Sequence, residues 1–225
     1  MAAMLRQSDK KAVFGVDSST LAFPSNVVAG NTLVATIAGF HSPGGFTCET
    51  PTDSQGNTWT AAVAQQTSGN GGIRTYWAKA GTSGANTVTF SGNTASDDLT
   101  IVISEWVGLL VQTPSATPVD NAIDDTGAGT TATADPLSTS TGPCVIYGGL
   151  SHLSSTRTLT QTDTIIQEIE DATGMPISTQ YRFGFPISST YDSVWTIGTG
   201  SVTWIANVVA FKIAPTMLAS VGAGI

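Results

Sequence analysis

The chain has 225 residues, of which 40% are hydrophobic and only 11% are charged, and its net charge is −8. This composition excludes an intrinsically disordered chain, which combines low hydrophobicity with high charge, and the length is sufficient to bury a sizeable core. The eight Lys and Arg residues are too few to replace the counterions of a nucleic acid, so we expect no nucleic-acid partner.

The chain begins with a short basic segment that carries Arg6, Lys10 and Lys11. We expect residues 1–11 to form a flexible N-terminal arm, whose basic side chains could contact an acidic partner surface. Lys10 and Lys11 interrupt the apolar stretch that a signal peptide requires, and no segment approaches the roughly 20 apolar residues of a membrane helix. We therefore expect the protein not to associate with a membrane. We also expect it to be assembled inside a cytoplasm.

Short strand-like segments follow one another along the chain, separated by Gly, Asn, Asp and Pro. In the segment 99–106, for example, Leu99, Ile101 and Ile103 lie on one side and Thr100 and Ser104 on the other. We predict about eleven strands on these grounds. They cover residues 12–16, 32–40, 58–65, 73–80, 86–91, 99–106, 144–152, 164–170, 177–183, 193–196 and 202–213.

The pattern of these strands predicts an all-β fold. No segment of ten or more residues has a clean helical period, and 163–171 comes nearest. The segment 202–213 is apolar on both faces, which places it in the middle of a sandwich or against a subunit. We expect residues 12–213 to form a single two-sheet antiparallel β-sandwich with a jelly-roll-like topology.

Two segments fall outside the regular strand pattern. Residues 112–141 are polar and rich in Pro, Asp and Gly. We interpret them as a long crossover between two halves of one sandwich, since neither half has enough strands to close two sheets; a domain boundary is the alternative. Residues 214–225 form an apolar C-terminal tail without a pattern, which either packs on a neighbouring molecule or frays.

The two cysteines, Cys48 and Cys144, are expected to be free buried thiols rather than a disulfide framework. A single disulfide is the alternative if their strands are neighbours.

Two acidic segments could bind Ca²⁺, which prefers several oxygen ligands from a tight turn. One is the turn 53–57, which has the sequence Asp-Ser-Gln-Gly-Asn and only one carboxylate. We favour an Asx turn, in which Asp53 accepts hydrogen bonds from backbone N–H groups. Asp120, Asp124 and Asp125 are expected to be solvated rather than to ligate a metal. No metal or cofactor is therefore expected.

The sequence contains no recognisable catalytic motif. His41 and His152 are the only histidines, and neither lies in a pattern typical of a catalytic triad. Glu105 could be one of a glycosidase carboxylate pair, but no partner can be named, and we favour a structural carboxylate bound to a turn. We predict that the chain is not an enzyme.

Aromatic residues could bind a sugar or a subunit, although most such residues are core or interface anchors. Tyr76 and Trp77 are adjacent in one predicted strand, so one of them should face outward. We take Tyr76 or Trp77 as the candidate contact for a glycan or a partner. The other aromatics of this kind are Trp59, Trp106, Trp195, Trp204 and Tyr181.

An ordered series of short segments resembles a β-sandwich module of tailed-phage virion proteins and of bacterial surface or secreted proteins. The segments are 28–34, 53–59, 76–79, 84–90, 103–108, 117–120, 145–150 and 204–212, among them Asp-Ser-Gln-Gly-Asn-Thr-Trp and Ile-Ser-Glu-Trp-Val-Gly. The resemblance spans about residues 12–213 and implies a jelly-roll-like sandwich without enzymatic activity. It supplies no catalytic residues to assign.

These observations predict a capsid decoration, or cement, protein of a tailed bacteriophage, located on the capsid surface. Its partner would be the major capsid protein, and it would form a homo-oligomer, with a trimer favoured. The alternative is a carbohydrate-binding adhesin, either a tail-associated component or a bacterial lectin-like module. A glycan hydrolase is a third hypothesis, which requires a carboxylate pair.

Overall fold

The computed structural model describes residues 3–93, 97–110, 117–140, 142–153, 160–161, 163–169, 175–184, 190–198 and 200–214. All regular secondary-structure elements in these described residues are β-strands. The first nine strands are β1 Met4–Val16, β2 Ser18–Ala22, β3 Thr32–Phe40, β4 Thr52–Asp53, β5 Thr60–Ala61, β6 Gln66–Ser68, β7 Gly71–Lys79, β8 Thr87–Ser91 and β9 Asp97–Val107. The remaining strands are β10 Val119–Gly129, β11 Thr131–Thr133, β12 Leu137–Ser138, β13 Cys144–His152, β14 Thr160–Gln161, β15 Thr164–Ile169, β16 Ile177–Gly184, β17 Thr190–Tyr191, β18 Val194–Thr196 and β19 Val202–Lys212.

The N-terminal half of the chain forms two antiparallel sheets. The larger, sheet A, has the strand order β1-β9-β3-β7-β5, and β6 also pairs with β7. The smaller, sheet B, has the order β2-β8-β4. In sheet A, Thr36 of β3 lies opposite Val102 of β9 on one side and Thr75 of β7 on the other.

The C-terminal half repeats this arrangement. Its larger sheet, sheet C, has the order β10-β19-β13-β16-β15, and sheet D has the order β11-β18-β14, with the β12-β17 pair as sheet E. The strands β10, β19, β13 and β16 thus follow one another in sheet C as β1, β9, β3 and β7 do in sheet A. Strands β11, β18 and β14 likewise correspond to β2, β8 and β4.

Strand β9 of the N-terminal half and strand β19 of the C-terminal half correspond residue by residue. Strands β9 and β19 each have eleven residues and the same sequence of buried and half-buried positions. Val102 and Asn207 are the sixth residues of these two strands. The N-terminal half contributes two sheets and the C-terminal half three, contrary to our premise that neither half has enough strands to close two sheets.

Three apolar clusters join the sheets into four layers. One cluster lies between sheets B and A and contains Leu33, Tyr76 and Phe90. A second contains residues of both halves, including Val34, Trp106, Tyr147 and Val209, and joins sheet A to sheet C. The third packs sheet C against sheets D and E and contains Leu137, Ile146 and Trp195. The two inner sheets are consequently covered on both faces.

This layering explains the nearly continuous apolar sequences of the inner strands. Strands β13 and β19, and β3 apart from its last residue, are almost entirely buried, because neither face of their sheet is open to water. The prediction that 202–213 is a central strand is confirmed, since β19 lies between β10 and β13.

The all-β prediction is confirmed for the described residues, but the strand number is not, since nineteen strands replace about eleven. Ten of the eleven predicted strands are present, two of them (32–40 and 144–152) with the predicted ends and the others with shifted ends. Of the eleventh, 58–65, only Thr60–Ala61 is strand, and 163–171 contains strand β15. Six of the missed strands have two or three residues; the other two are β2 and the eleven-residue β10. Strand β10 lies within 112–141, the predicted crossover. The sequence pattern did not predict this strand because an edge strand that faces water needs few apolar residues.

The predicted N-terminal arm also differs from the structure. Residues 4–11 belong to β1, which pairs with β9 from Met4 opposite Val107 to Val16 opposite Asp97. Of the predicted C-terminal tail, 214–225, only Ala214 lies within the described residues. Its N–H donates a hydrogen bond of 2.8 Å to the carbonyl oxygen of Gly108.

Candidate functional site

The candidate contact residues Tyr76 and Trp77 both point into packed cores. Tyr76 is fully buried between sheets A and B, and its hydroxyl donates a 2.7 Å hydrogen bond to the carbonyl oxygen of Cys48. Burial raises the pKa of the Tyr76 hydroxyl. Trp77 is partly buried against the cluster between sheets A and C. The two side chains do lie on opposite faces, but both faces of sheet A are covered, so the expectation that one faces outward is corrected.

Among the described residues, two aromatic side chains that the sequence did not nominate are exposed, Phe183 and Phe14. Phe183 at the end of β16 is 43% exposed. Its ring lies edge-on to Tyr181 at 5.9 Å between centroids, and Tyr181 lies edge-on to buried Trp106 at 5.0 Å. The remaining tryptophans are buried, namely Trp59, Trp195 and Trp204.

The basic residues Arg6, Lys10 and Lys11 lie along β1, at the edge of sheet A. Arg6 Nη1 donates hydrogen bonds to the carbonyl oxygen of Asn26 at 2.8 Å and to Glu105 Oε2 at 2.5 Å. Lys11 Nζ donates to the carbonyl oxygen of Thr20 at 2.9 Å, and Lys10 is exposed. The strand therefore carries its positive charges on a fixed edge instead of on a free arm.

Glu105 is a buried structural carboxylate. It accepts hydrogen bonds from Arg6, from the side-chain amide of Gln7, from the Val28 N–H at 2.8 Å and from Asn31 Nδ2 at 2.6 Å. These donors come from β1 and from the turn before β3, so the carboxylate ties both to β9. This agrees with the interpretation of Glu105 as a carboxylate bound to a turn.

Asp53 holds the turn 53–57 together. Its Oδ1 accepts hydrogen bonds from the N–H groups of Gln55 and Asn57, each at 3.0 Å. Its Oδ2 accepts from Asn57 Nδ2 and Trp59 Nε1, each at 2.9 Å, and from Asn86 Nδ2 at 3.3 Å. Five donors surround the carboxylate, as in the predicted Asx turn and not as in a cation site.

His41 and Asp97 form a hydrogen-bonded pair at the end of β3. The distance between His41 Nδ1 and Asp97 Oδ1 is 2.5 Å, and the Asp97 side chain is fully buried. Asp97 Oδ2 also accepts from the Asn93 N–H at 2.5 Å. The contacts join the segment after β3 to the start of β9. His152 is buried at the end of β13, opposite Trp204 of β19.

The acidic residues predicted to be solvated in a loop lie in strand β10. Asp120 accepts hydrogen bonds from the N–H and hydroxyl of Ser140, at 2.7 and 2.8 Å. Asp125 Oδ2 accepts from the Asp135 N–H at 2.9 Å, whereas Asp124 is exposed. In the described part of the chain, no three His, Cys, Asp or Glu side chains come together as a metal site requires.

Cys48 and Cys144 are both free and buried, as the sequence predicted. Cys48 lies in the core between sheets A and B and Cys144 in the core between sheet C and the outer sheets. Burial raises the pKa of the Cys48 thiol, which keeps it in the unreactive protonated form.

The described residues include no helix of the length and hydrophobicity that crossing a membrane demands. Comparisons of the chain with protein-family models, with curated proteins and with solved structures find no match.

Proposed function

We propose that this chain is a non-enzymatic structural protein of a tailed-phage virion, which binds the assembled capsid as a decoration protein. The observation that carries the proposal is that the side chains with catalytic or ligand-binding potential make hydrogen bonds within the protein that stabilise its fold. Glu105 and Asp53 are each surrounded by donors, and His41 is paired with buried Asp97. What such a chain offers to other molecules is its sheet edges and outer surfaces.

The strand order also supports a jelly-roll-like assignment for each half of the chain. In a jelly roll, two four-stranded sheets exchange strands in a fixed order, and viral capsid proteins use this architecture. Strands β1-β9-β3-β7 and β2-β8-β4 follow that order except for one strand, and β10-β19-β13-β16 with β11-β18-β14 repeat it. The chain would then be a tandem of two such units.

The proposed mechanism is mass action. A protein that binds the assembled shell of major capsid protein, but not its free subunits, stabilises the shell by RT ln(1 + [L]/Kd), about 2.7 kcal/mol at a concentration of 100 Kd. The proposal includes a homo-oligomer, with a trimer at local three-fold positions favoured.

The test is co-sedimentation of the purified protein with capsids from its source that have been stripped of accessory proteins. We expect the protein to pellet with shells, to saturate at a fixed copy number and to raise the temperature at which the shells rupture. Free capsid subunits are the control and should not bind it. Failure to pellet with the shells would exclude the decoration role.

A second candidate function, carbohydrate binding by an adhesin, is favoured by the exposure of Phe183 beside Tyr181. An exposed aromatic ring on a sheet can pack on the apolar face of a sugar. Glycan-array binding that Phe183→Ala abolishes and Phe14→Ala preserves would support it; Phe14 is similarly exposed, at 40%. An array without signal would exclude it.

A further inference from the structure

Strands β1 and β10 are equivalent edges of the two halves. Each is the first strand of its half, and each pairs with the corresponding central strand, β1 with β9 and β10 with β19. In the described part of the chain, each ends its sheet and has no strand paired on its other side.

The two edges lie on opposite sides of the molecule. Sheets A and C stack so that β1 lies against β15, at the far edge of sheet C, while β10 lies against β6 beside β7. Gln167 Nε2 of β15 donates a 2.9 Å hydrogen bond to the Ser8 hydroxyl of β1, which fixes this arrangement. The edges therefore cannot meet within one molecule, but an edge of one copy can meet the other edge of a second copy.

The edges carry opposite charge. Strand β1 contains Lys10, Lys11 and Arg6, of which Arg6 is paired with buried Glu105, against a single acid of its own. Strand β10 contains three Asp residues and no basic residue. Lys10 lies opposite Val102 and Asp124 lies opposite Asn207. Because Val102 and Asn207 are equivalent, Lys10 and Asp124 occupy the same position of the repeated unit, and both are exposed.

The backbone of both edges is partly covered by neighbouring side chains. Asp9 Oδ1 accepts the N–H of Lys10 at 2.8 Å, Asn121 Oδ1 that of Ala122 at 2.9 Å, and Asp125 Oδ1 that of Thr126 at 2.7 Å. Covering N–H groups in this way protects an edge from indiscriminate strand pairing. Recognition at these edges is therefore left to the charged side chains.

We propose that the β1 edge of one copy docks against the β10 edge of a second copy, head to tail. Contact between two β1 edges or two β10 edges would place like charges opposite each other, which is destabilising. A head-to-tail contact is heterologous, so successive copies form a closed ring or an open filament. The inference concerns the chain with itself and holds whether or not the chain binds a capsid.

The test is a charge exchange between Lys10 and Asp124, read out as mass by sedimentation velocity and light scattering. We expect the wild-type protein to associate at 20 mM salt and to dissociate progressively towards 500 mM salt, because exposed charges are screened. Lys10→Glu and Asp124→Lys should each weaken self-association at least tenfold. The double variant should recover it, since it restores opposite charges at every contact. An equimolar mixture of the two single variants should recover it in part, since it restores opposite charges at contacts between unlike copies.

The control variants are Lys79→Glu and Glu49→Lys, which reverse exposed charges away from both edges and should leave the association unchanged. Each variant must retain the wild-type melting temperature; if Lys10→Glu does not, Lys10→Gln replaces it in the single-variant comparison. A wild-type protein that stays monomeric at high concentration and low salt would overturn the proposal. So would single reversals that leave the mass unchanged, or a double variant that fails to recover association.

Discussion

At the scale of single residues, one buried and one half-buried carboxylate organise this molecule. Glu105 joins β9 to β1 and to the turn before β3, and Asp53 closes its own turn with five accepted hydrogen bonds. Hydrogen bonds to a charged acceptor are roughly twice as strong as those between neutral groups. These side chains therefore hold segments that are distant in the chain, and their removal should affect stability before any binding property.

We predict that Glu105→Gln lowers the free energy of unfolding by about 2–4 kcal/mol, because it removes a buried negative charge and turns an amide donor towards existing donors. Urea unfolding followed by tryptophan fluorescence measures the change. The control is Glu49→Gln at an exposed position, which should stay within about 0.5 kcal/mol. Equal stability of both variants would contradict the structural role of Glu105.

The environment of Asp98 predicts how the stability of the protein depends on pH. Burial raises the pKa of its carboxyl, while the Gly15 N–H, which donates to it at 3.3 Å, opposes that change. The folded protein therefore binds this proton more tightly than the unfolded chain, whose Asp pKa is about 3.9. The contribution of Asp98 to stability is full below that pH and is lost as the pH rises through the folded pKa.

We expect the stability of the wild type relative to Asp98→Asn to fall between pH 3 and pH 7. Urea unfolding at pH 3, 5 and 7 measures it, with Asp17→Asn in the exposed neighbouring turn as the control. A wild-type advantage that grows with pH would contradict the burial of Asp98.

At the scale of elements, the contact between sheets A and C constrains the sequence of both halves. The Thr36 hydroxyl lies 2.8 Å from the Tyr147 hydroxyl and 3.0 Å from that of Thr75, in the middle of an apolar cluster. Gly149 of β13 faces the same place, and a Cβ added to it would lie 2.9 Å from Thr36 Cγ2. The two inner sheets thus approach closely where the halves meet.

We predict that Gly149→Ala lowers the free energy of unfolding by about 1–3 kcal/mol, because a methyl group there overpacks the contact between the halves. The matched control is Gly129→Ala in β10, where an added Cβ has no neighbour closer than 3.5 Å. That control should be neutral or slightly stabilising, since Gly is unfavourable within a strand. Chemical denaturation of both variants under the same conditions decides the comparison.

At the scale of the whole molecule, the two halves share a core and should unfold together. The cluster between sheets A and C contains Val34, Val102 and Trp106 from one half and Tyr147 and Val209 from the other. Domains move and unfold independently unless their interface is large and hydrophobic, as it is in this molecule.

We therefore expect one calorimetric transition with equal calorimetric and van't Hoff enthalpies, the criterion for two-state unfolding. Trp106→Ala, which opens a cavity in the shared cluster, should lower the melting temperature without splitting the transition. Two resolved transitions in the wild type would show that the halves are independent.

The sequence by itself determined the properties that depend on local pattern. Alternation and β-branched composition predicted the strands. Apolar residues on both faces of 202–213 predicted a central strand, and the Asp-Ser-Gln-Gly-Asn order predicted the Asx turn of Asp53. The free, buried state of Cys48 and Cys144 followed from their low number and from the usual burial of free cysteines. Each of these depends on residues close together in the chain.

Only the tertiary structure decided what covers each face and which edges remain open. Period-two alternation places Tyr76 and Trp77 on opposite faces, but it carries no information about the second layer that covers both. The two halves repeat one strand order, and the basic residues Arg6, Lys10 and Lys11 lie on one outer edge while the acids of β10 lie on another. Both features arise from pairings between residues up to about a hundred positions apart. Such pairings depend on the summed packing of whole sheets, because no local pattern encodes the identity of a distant partner.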